Sequence, residues 1–174
     1  MNEPGRDGSN MIKLAERRIF SNSFKPLYDQ GMGLVERAAE YLDGDGRVDA
    51  RELSRTAATL YAAESMRLTT RLMQVASWLL LQRAANSGEM SREQVIAEKS
   101  KVRLDTASAK EAADWSALPE NFRDIVERSL RLQALVRRMD EEIYGASAQG
   151  VARASRIGNP VSDQITLLHT AFAR

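Results

Sequence analysis

Apolar residues recur at helical spacing in three stretches of the chain, and no stretch alternates in the way of a strand. In the first stretch, from about Phe24 to Leu42, they follow one another at steps of four and three and form one stripe. Pro26 suits the first turn of a helix, where its missing N–H is not needed, and glycines at 44 and 46 end the pattern. This stretch predicts an amphipathic helix.

The second stretch predicts the dominant helix, from about Ala50 or Ala57 to Asn86, with Gly88 as its C-terminal stop. Two apolar stripes run along this helix. The first stripe contains Ala62, Met66, Thr69, Met73, Ala76 and Leu80, and the second contains Leu68, Leu72, Val75 and Leu79. Together with Trp78 they leave the middle of the helix apolar almost all the way round.

A helix that is apolar on every side must be covered on every side. We therefore expect a second subunit beside the neighbouring helices of the bundle, so that the protein forms a homodimer. The residues expected to make core or dimer contacts are Leu72, Val75, Trp78 and Leu79. Methionines and aromatic residues at this spacing are typical of a core, so we place Met66 and Met73 inside the protein rather than in a binding stripe.

The remainder of the chain predicts a short helix and then a long one. Ser91 and Gln94 have the spacing of a capping box, which favours a helix from about Arg92 to Val102. A polar loop follows, anchored by Trp115 and Leu118. The last long helix opens near Pro119 and is expected to end before Gly145. Its inner stripe contains Phe122, Ile125, Val126, Ser129, Leu132, Val136, Met139 and Ile143, and its outer face offers i,i+4 ion pairs.

These elements predict an all-α protein, an antiparallel three-helix bundle with one very long central helix and a short extra helix. We expect residues 1–22 to form a flexible leader and residues 23–144 to form the bundle domain. Residues 145–174 are small, polar and broken by glycine and proline, so we expect a flexible, disordered C-terminal tail.

Composition removes several classes of function. The net charge is +1, which gives no field for nucleic acid or membrane surfaces, and cysteine is absent. The one histidine, His169, lies near the C-terminus, and no phosphate-binding glycine loop or nucleophile motif appears. We therefore expect no enzyme activity, no cofactor, no metal, no nucleic acid and no membrane span. A cytoplasmic protein fits this composition.

The sequence YLDGDGRVDARE (41–52) looks like an EF-hand calcium loop. Gly46 falls at the sixth position and Glu52 at the twelfth, but the first position is Tyr41, where a carboxylate is needed. Tyr41 also continues the apolar pattern of the first helix. We favour a helix–glycine turn–helix connection, and a calcium-binding loop is the alternative.

Partner-binding residues are expected in two places. The tail can order on contact with a partner, with Leu167, Leu168 and Phe172 as its apolar anchors. Arg67 and Arg71 lie one turn apart beside the apolar stripe of the second helix and can pair with acidic groups of a partner.

One stretch also carries a family resemblance. YAAESMRLTTRLMQVASWLLLQRA (61–84), preceded by GMGLVERAAEYLDGDGR (31–47) and followed by GEM (88–90) and EKSKV (98–102), resembles the RcdA family of alphaproteobacteria. The resemblance covers about residues 20–143 and is most specific in the second helix.

The resemblance implies a helical adaptor that helps the ClpXP protease degrade a master transcription regulator of the cell cycle. It implies a dimerising three-helix bundle with a C-terminal tail needed for adaptor work. Its partners in the family are a single-domain response regulator that primes the protease, a cyclic-di-GMP-binding effector and the protein cargo. It transfers no catalytic residue. A helical scaffold with other partners is the alternative.

Overall fold

The structure, a computed structural model, describes residues 24–156, and it describes side chains for residues 24–145. These residues form five α-helices and one short 3-10 helix, without a strand. The helices are α1 (Phe24–Asp43), α2 (Asp45–Arg51), α3 (Arg55–Asn86), α4 (Arg92–Lys99) and α5 (Glu120–Arg156), and the 3-10 helix is Ala113–Ala117. The all-α class and the three-helix bundle of α1, α3 and α5 are confirmed.

The helix ends follow local chemistry. The Ser54 side chain accepts a hydrogen bond from the Ala57 N–H and caps α3. Gly88 follows α3 with a φ of 74°, a left-handed conformation that glycine adopts without strain. At α4 the Ser91 side chain and the Gln94 side chain each bond the other residue's backbone N–H, so the predicted capping box is confirmed.

The order of the helices along the bundle follows from their contacts. Tyr41 at the end of α1 stacks on Phe122 at the start of α5, and Tyr61 near the start of α3 contacts the same ring. Thus α1 runs antiparallel to both α3 and α5, whereas α3 and α5 run parallel. The chain between α3 and α5 must therefore return along the whole bundle before α5 begins. It consists of α4 and residues 100–118 and is here called the returning segment.

The core lies where the three long helices meet. The inner stripe expected of α5 is largely buried, with Phe122, Val126 and Val136 fully so. Leu118 is buried and Trp115 packs against the core, as the sequence predicts for this loop. At Gly31 of α1 an added Cβ would collide with the buried Leu79 side chain, so α1 and α3 approach closely there.

Three boundaries differ from the sequence prediction. The short helix α4 ends at Lys99 rather than at about Val102. The last helix does not end before Gly145 but continues to Arg156, because the segment GASAQGVARASR (145–156) is rich in alanine and its glycines weaken a helix without ending it. The glycine turn after α1 is also shorter than expected, since Asp45–Arg51 is helical. Within residues 24–156 no helix has the length and apolar character to cross a membrane.

Candidate protein interaction surface

Arg71 is not on the surface. Its side chain is completely buried, and its two terminal nitrogens donate to the Ser129 hydroxyl at 2.8 Å, the Ala107 carbonyl at 2.9 Å and the Glu64 carboxylate at 3.3 Å. The expectation that Arg71 faces a partner is therefore wrong. Burial lowers the pKa of Arg71, and the hydrogen bond and charge of Glu64 oppose that shift.

Glu64 is the other half of this buried pair. Its carboxylate accepts from Arg71, from the Ser108 hydroxyl at 3.1 Å and from the Ala109 N–H at 3.1 Å. The group of Glu64, Arg71, Ser129 and residues 107–109, here called the buried clasp, joins α3 to α5 and to the returning segment. A buried ion pair needs such additional hydrogen bonds to offset its desolvation.

Glu64 was not predicted from the sequence, although a signal was present. Glu64 lies four residues before Leu68 and seven before Arg71, on the same side of α3 as buried apolar residues. An acidic and a basic residue in register with a core stripe indicate an internal pair. Arg67, in contrast, is exposed over 43% of its side chain and reaches Glu64 at 3.4 Å. Its role in partner binding stays a prediction.

The four residues expected in core or dimer contacts all lie in the core of the single chain. Leu72, Val75, Trp78 and Leu79 are between 0% and 4% exposed. The Trp78 indole N–H donates to the Asp140 carboxylate at 2.8 Å, and the Lys99 ammonium lies 3.0 Å from the same carboxylate. These residues connect α3, α4 and α5, so they have no free surface for a second subunit.

The large apolar residues that face outward on α3 belong to the first stripe described above. Met66 is 73% exposed, Met73 59% and Leu80 47%. The placement of the two methionines in the core is therefore wrong, because the second stripe, rather than theirs, faces α1 and α5. Met66, Met73 and Leu80, here called the methionine stripe, recur every seven residues and form one line of roughly 21 Å along the helix.

The loop that looks like a calcium site is held by tyrosines. Tyr41 is buried, and its hydroxyl donates to the Asp49 carboxylate at 2.8 Å, while the Tyr61 hydroxyl donates to the Gly46 carbonyl at 3.1 Å. Burial and the bond to Asp49 raise the pKa of Tyr41. Tyr41 is thus packed rather than positioned as a ligand. In the part of the chain that the structure describes, no group of three or more acidic, histidine or cysteine residues could hold a metal ion.

The remaining predicted binding residues, Leu167, Leu168 and Phe172, lie outside the described residues, as does His169. The fold and the described surface define a class: an all-helical bundle protein whose central helix buries an ion pair and exposes an apolar stripe.

The comparisons with known proteins identify the family. Residues 15–172 match the model of a family described as "Protein of unknown function (DUF1465)". A search of the solved structures finds the crystal structure of RcdA from Caulobacter crescentus CB15, at 49% sequence identity and a TM-score of 0.59, covering 71% of this chain and 92% of that one. A search of the curated proteins found no match. The chain belongs to this DUF1465, RcdA-like family, and the resemblance seen in residues 61–84 is confirmed.

Proposed function

We propose that the protein is a non-enzymatic adaptor that helps deliver protein substrates to the ClpXP protease and so regulates progression of the cell cycle. The observation that carries the proposal is the 49% identity to RcdA from Caulobacter crescentus CB15, because the resemblance to the RcdA family implies such an adaptor. Cytoplasmic location, with concentration at a cell pole, belongs to the same proposal, and so does the absence of a cofactor.

The character of α3 supports a binding role over a catalytic one. Its buried charged residues, Glu64 and Arg71, bond each other and the returning segment, so they serve the fold. Its exposed apolar residues form the methionine stripe, and methionine is common at surfaces that bind proteins because its side chain is flexible and polarizable. Arg67 is exposed beside this stripe.

A homodimer is part of the proposal. We propose that a second copy of the chain covers the methionine stripe, since the residues first considered for that contact are buried. The further partners are those of the family: a single-domain response regulator, a cyclic-di-GMP-binding effector and the cargo. The tail residues Leu167, Leu168 and Phe172 are the proposed anchors for one of them.

A reconstituted ClpXP degradation assay tests the proposal, with response regulator and effector present and loss of cargo as the readout. Because α5 continues to Arg156, a chain truncated after Gly145 loses about three turns of that helix together with residues 157–174. The sharper variant is truncated after Arg156. A third variant changes Leu167, Leu168 and Phe172 to alanine and keeps the length.

We expect the full-length chain to accelerate cargo loss. We expect the truncation after Arg156 and the triple alanine variant to lose that effect while unfolding at the same temperature as the full-length chain. If the full-length chain does not change the rate of cargo loss, the ClpXP role is wrong and the alternative, a helical scaffold with other partners, takes its place. If the full-length chain accelerates cargo loss and both variants do so equally well, the tail assignment alone is wrong.

A further inference from the structure

A groove of about 490 Å³ runs between α1 and α5, away from the methionine stripe. Its floor is apolar and consists of Leu34, Leu132 and Leu135. Three arginines surround that floor: Arg37 from α1, and Arg128 and Arg131 from α5. An apolar floor with a few convergent charged groups is typical of a binding site.

The arginines outnumber the carboxylates near them. Arg37 and Arg128 share Asp124, at 3.5 and 2.9 Å. Arg131 lies 3.9 Å from Glu127, and Lys110 lies nearer to that carboxylate, at 3.2 Å. The residues that line the groove include no acidic side chain. Since each guanidinium has five N–H donors, the rim can bond further carboxylates.

Gly33 gives a second and independent indication. It lines the groove in the interior of α1, where glycine destabilises a helix relative to alanine. A Cβ added there would meet nothing within 4 Å, whereas a Cβ at Gly31 would collide with Leu79. Packing within the chain therefore explains Gly31 and does not explain Gly33. The missing side chain leaves the backbone of α1 open to a close approach from the groove.

We propose that this groove binds an acidic segment of a partner protein, with aliphatic side chains on the leucine floor and carboxylates against Arg37, Arg128 and Arg131. The charge of the rim selects the acidic peptide. A nucleic acid fits less well because, among the described residues, no aromatic side chain lines the groove to stack on a base. The proposal goes beyond the adaptor function and does not depend on the protease, because it concerns only the chain and the peptide.

Fluorescence anisotropy measures the binding directly. The probe is a labelled peptide of about 12 residues, roughly three helical turns, that presents leucines on one face and glutamates beside them. Its controls are the same peptide with lysine in place of glutamate, the same peptide with glutamine, and a labelled single-stranded oligonucleotide. We expect the acidic peptide alone to bind, and its affinity to fall as salt is added.

Variants of the groove separate charge from shape. We expect the double change Arg128→Ala and Arg131→Ala to weaken binding about tenfold or more, since it removes two charge-assisted contacts. Gly33→Leu fills the open groove without removing charge and should weaken binding to a similar extent. Gly33→Ala is the conservative partner of that variant and should unfold at a higher temperature than the wild type.

The matched control is Arg137→Ala. Arg137 lies on the same helix, is exposed, pairs with Glu141 at i,i+4 and does not line the groove. We expect its peptide affinity to equal that of the wild type. Thermal unfolding of every variant shows that each is folded.

Three results would overturn the proposal. One is no binding of the acidic peptide at low salt, and another is binding that neither groove variant weakens. The third is a different occupant, either the oligonucleotide with the same dependence on the groove variants or a second copy of the chain. Sedimentation of Gly33→Leu without peptide detects the second copy, because its mass would then differ from that of the wild type.

Discussion

Each of the two faces of α3 holds residues that are unusual for its surroundings. The inner face holds a glutamate and an arginine that are completely buried, and the outer face holds two methionines and a leucine that are largely exposed. The charged pair inside attaches the returning segment and α5 to the central helix. The methionine stripe on the outer face does not join α3 to another element in this way. The polar or apolar character of single residues therefore does not show which face of this helix is buried.

The largest expected effect on stability comes from a change in the buried ion pair of the inner face. Arg71→Ala removes the buried ion-pair partner of the Glu64 carboxylate and leaves only the partly exposed Arg67 beside it. Removing one partner of a buried pair typically destabilises a protein by about 3–5 kcal/mol. Equilibrium unfolding in urea measures the free energy of unfolding. Arg67→Ala is the matched control, since Arg67 contacts the same glutamate at 3.4 Å but is 43% exposed. We expect a loss of less than about 1 kcal/mol.

A double variant sharpens this result. Glu64→Gln combined with Arg71→Met removes both charges, so most of the stability lost in Arg71→Ala should return. If Arg71→Ala unfolds no more easily than Arg67→Ala, the buried clasp does not hold the fold as described.

A smaller loss is expected at the apolar end of the inner face. Trp78→Phe removes part of a fully buried ring and the indole N–H that donates to Asp140, while Lys99 still pairs with that carboxylate. We expect a loss of about 1–2 kcal/mol in the same urea measurement. A loss near zero would show that the tryptophan is not an anchor between α3 and α5.

Tyr41 of α1 packs near the start of α3 and allows a test through the pH dependence of stability. Its pKa is raised in the folded chain above the ordinary value of 10.0, so the folded protein keeps this proton after the unfolded chain has lost it. The stability that depends on this proton is fully present below a pH of about 10 and is lost as pH rises beyond it. Tyr41→Phe removes it, together with the hydrogen bond to Asp49.

Urea unfolding of wild type and Tyr41→Phe at several pH values measures this effect. We expect the variant to be about 1 kcal/mol less stable near neutral pH, and the difference to shrink above a pH of about 10. A difference that stays constant through that range would contradict the assignment.

The sequence predicted much of the fold because the helix signals are local. The ends of α1 and α3, Gly88 and the capping box at Ser91 all depend on residues within a few positions of one another. The end of α5 was missed because glycine in an alanine-rich segment weakens a helix without ending it.

The surface of α3 was harder to predict. Periodicity showed two stripes but could not decide which faced inward, since the helix is apolar almost all round. Arg71 appeared exposed because its partners at Ser129 and Ala107 are distant in sequence. The arginine groove was also missed, because it is formed by residues of α1 and α5 that only the folded bundle brings together.

The smallest effect on stability is expected on the outer face. Met66→Gln and Met73→Gln replace exposed side chains, so each should change the free energy of unfolding of the monomer by no more than about 0.5 kcal/mol. Dilution to a concentration at which the chain is monomeric keeps subunit contacts out of this measurement.

The most direct test of the division between the two faces is sedimentation velocity of the wild type and the double variant Met66→Gln, Met73→Gln at equal concentration. We expect a dimer for the wild type and a folded monomer for the variant. A wild type that sediments as a monomer, or a variant that stays dimeric, would contradict the claim that the outer face of α3 is the subunit contact.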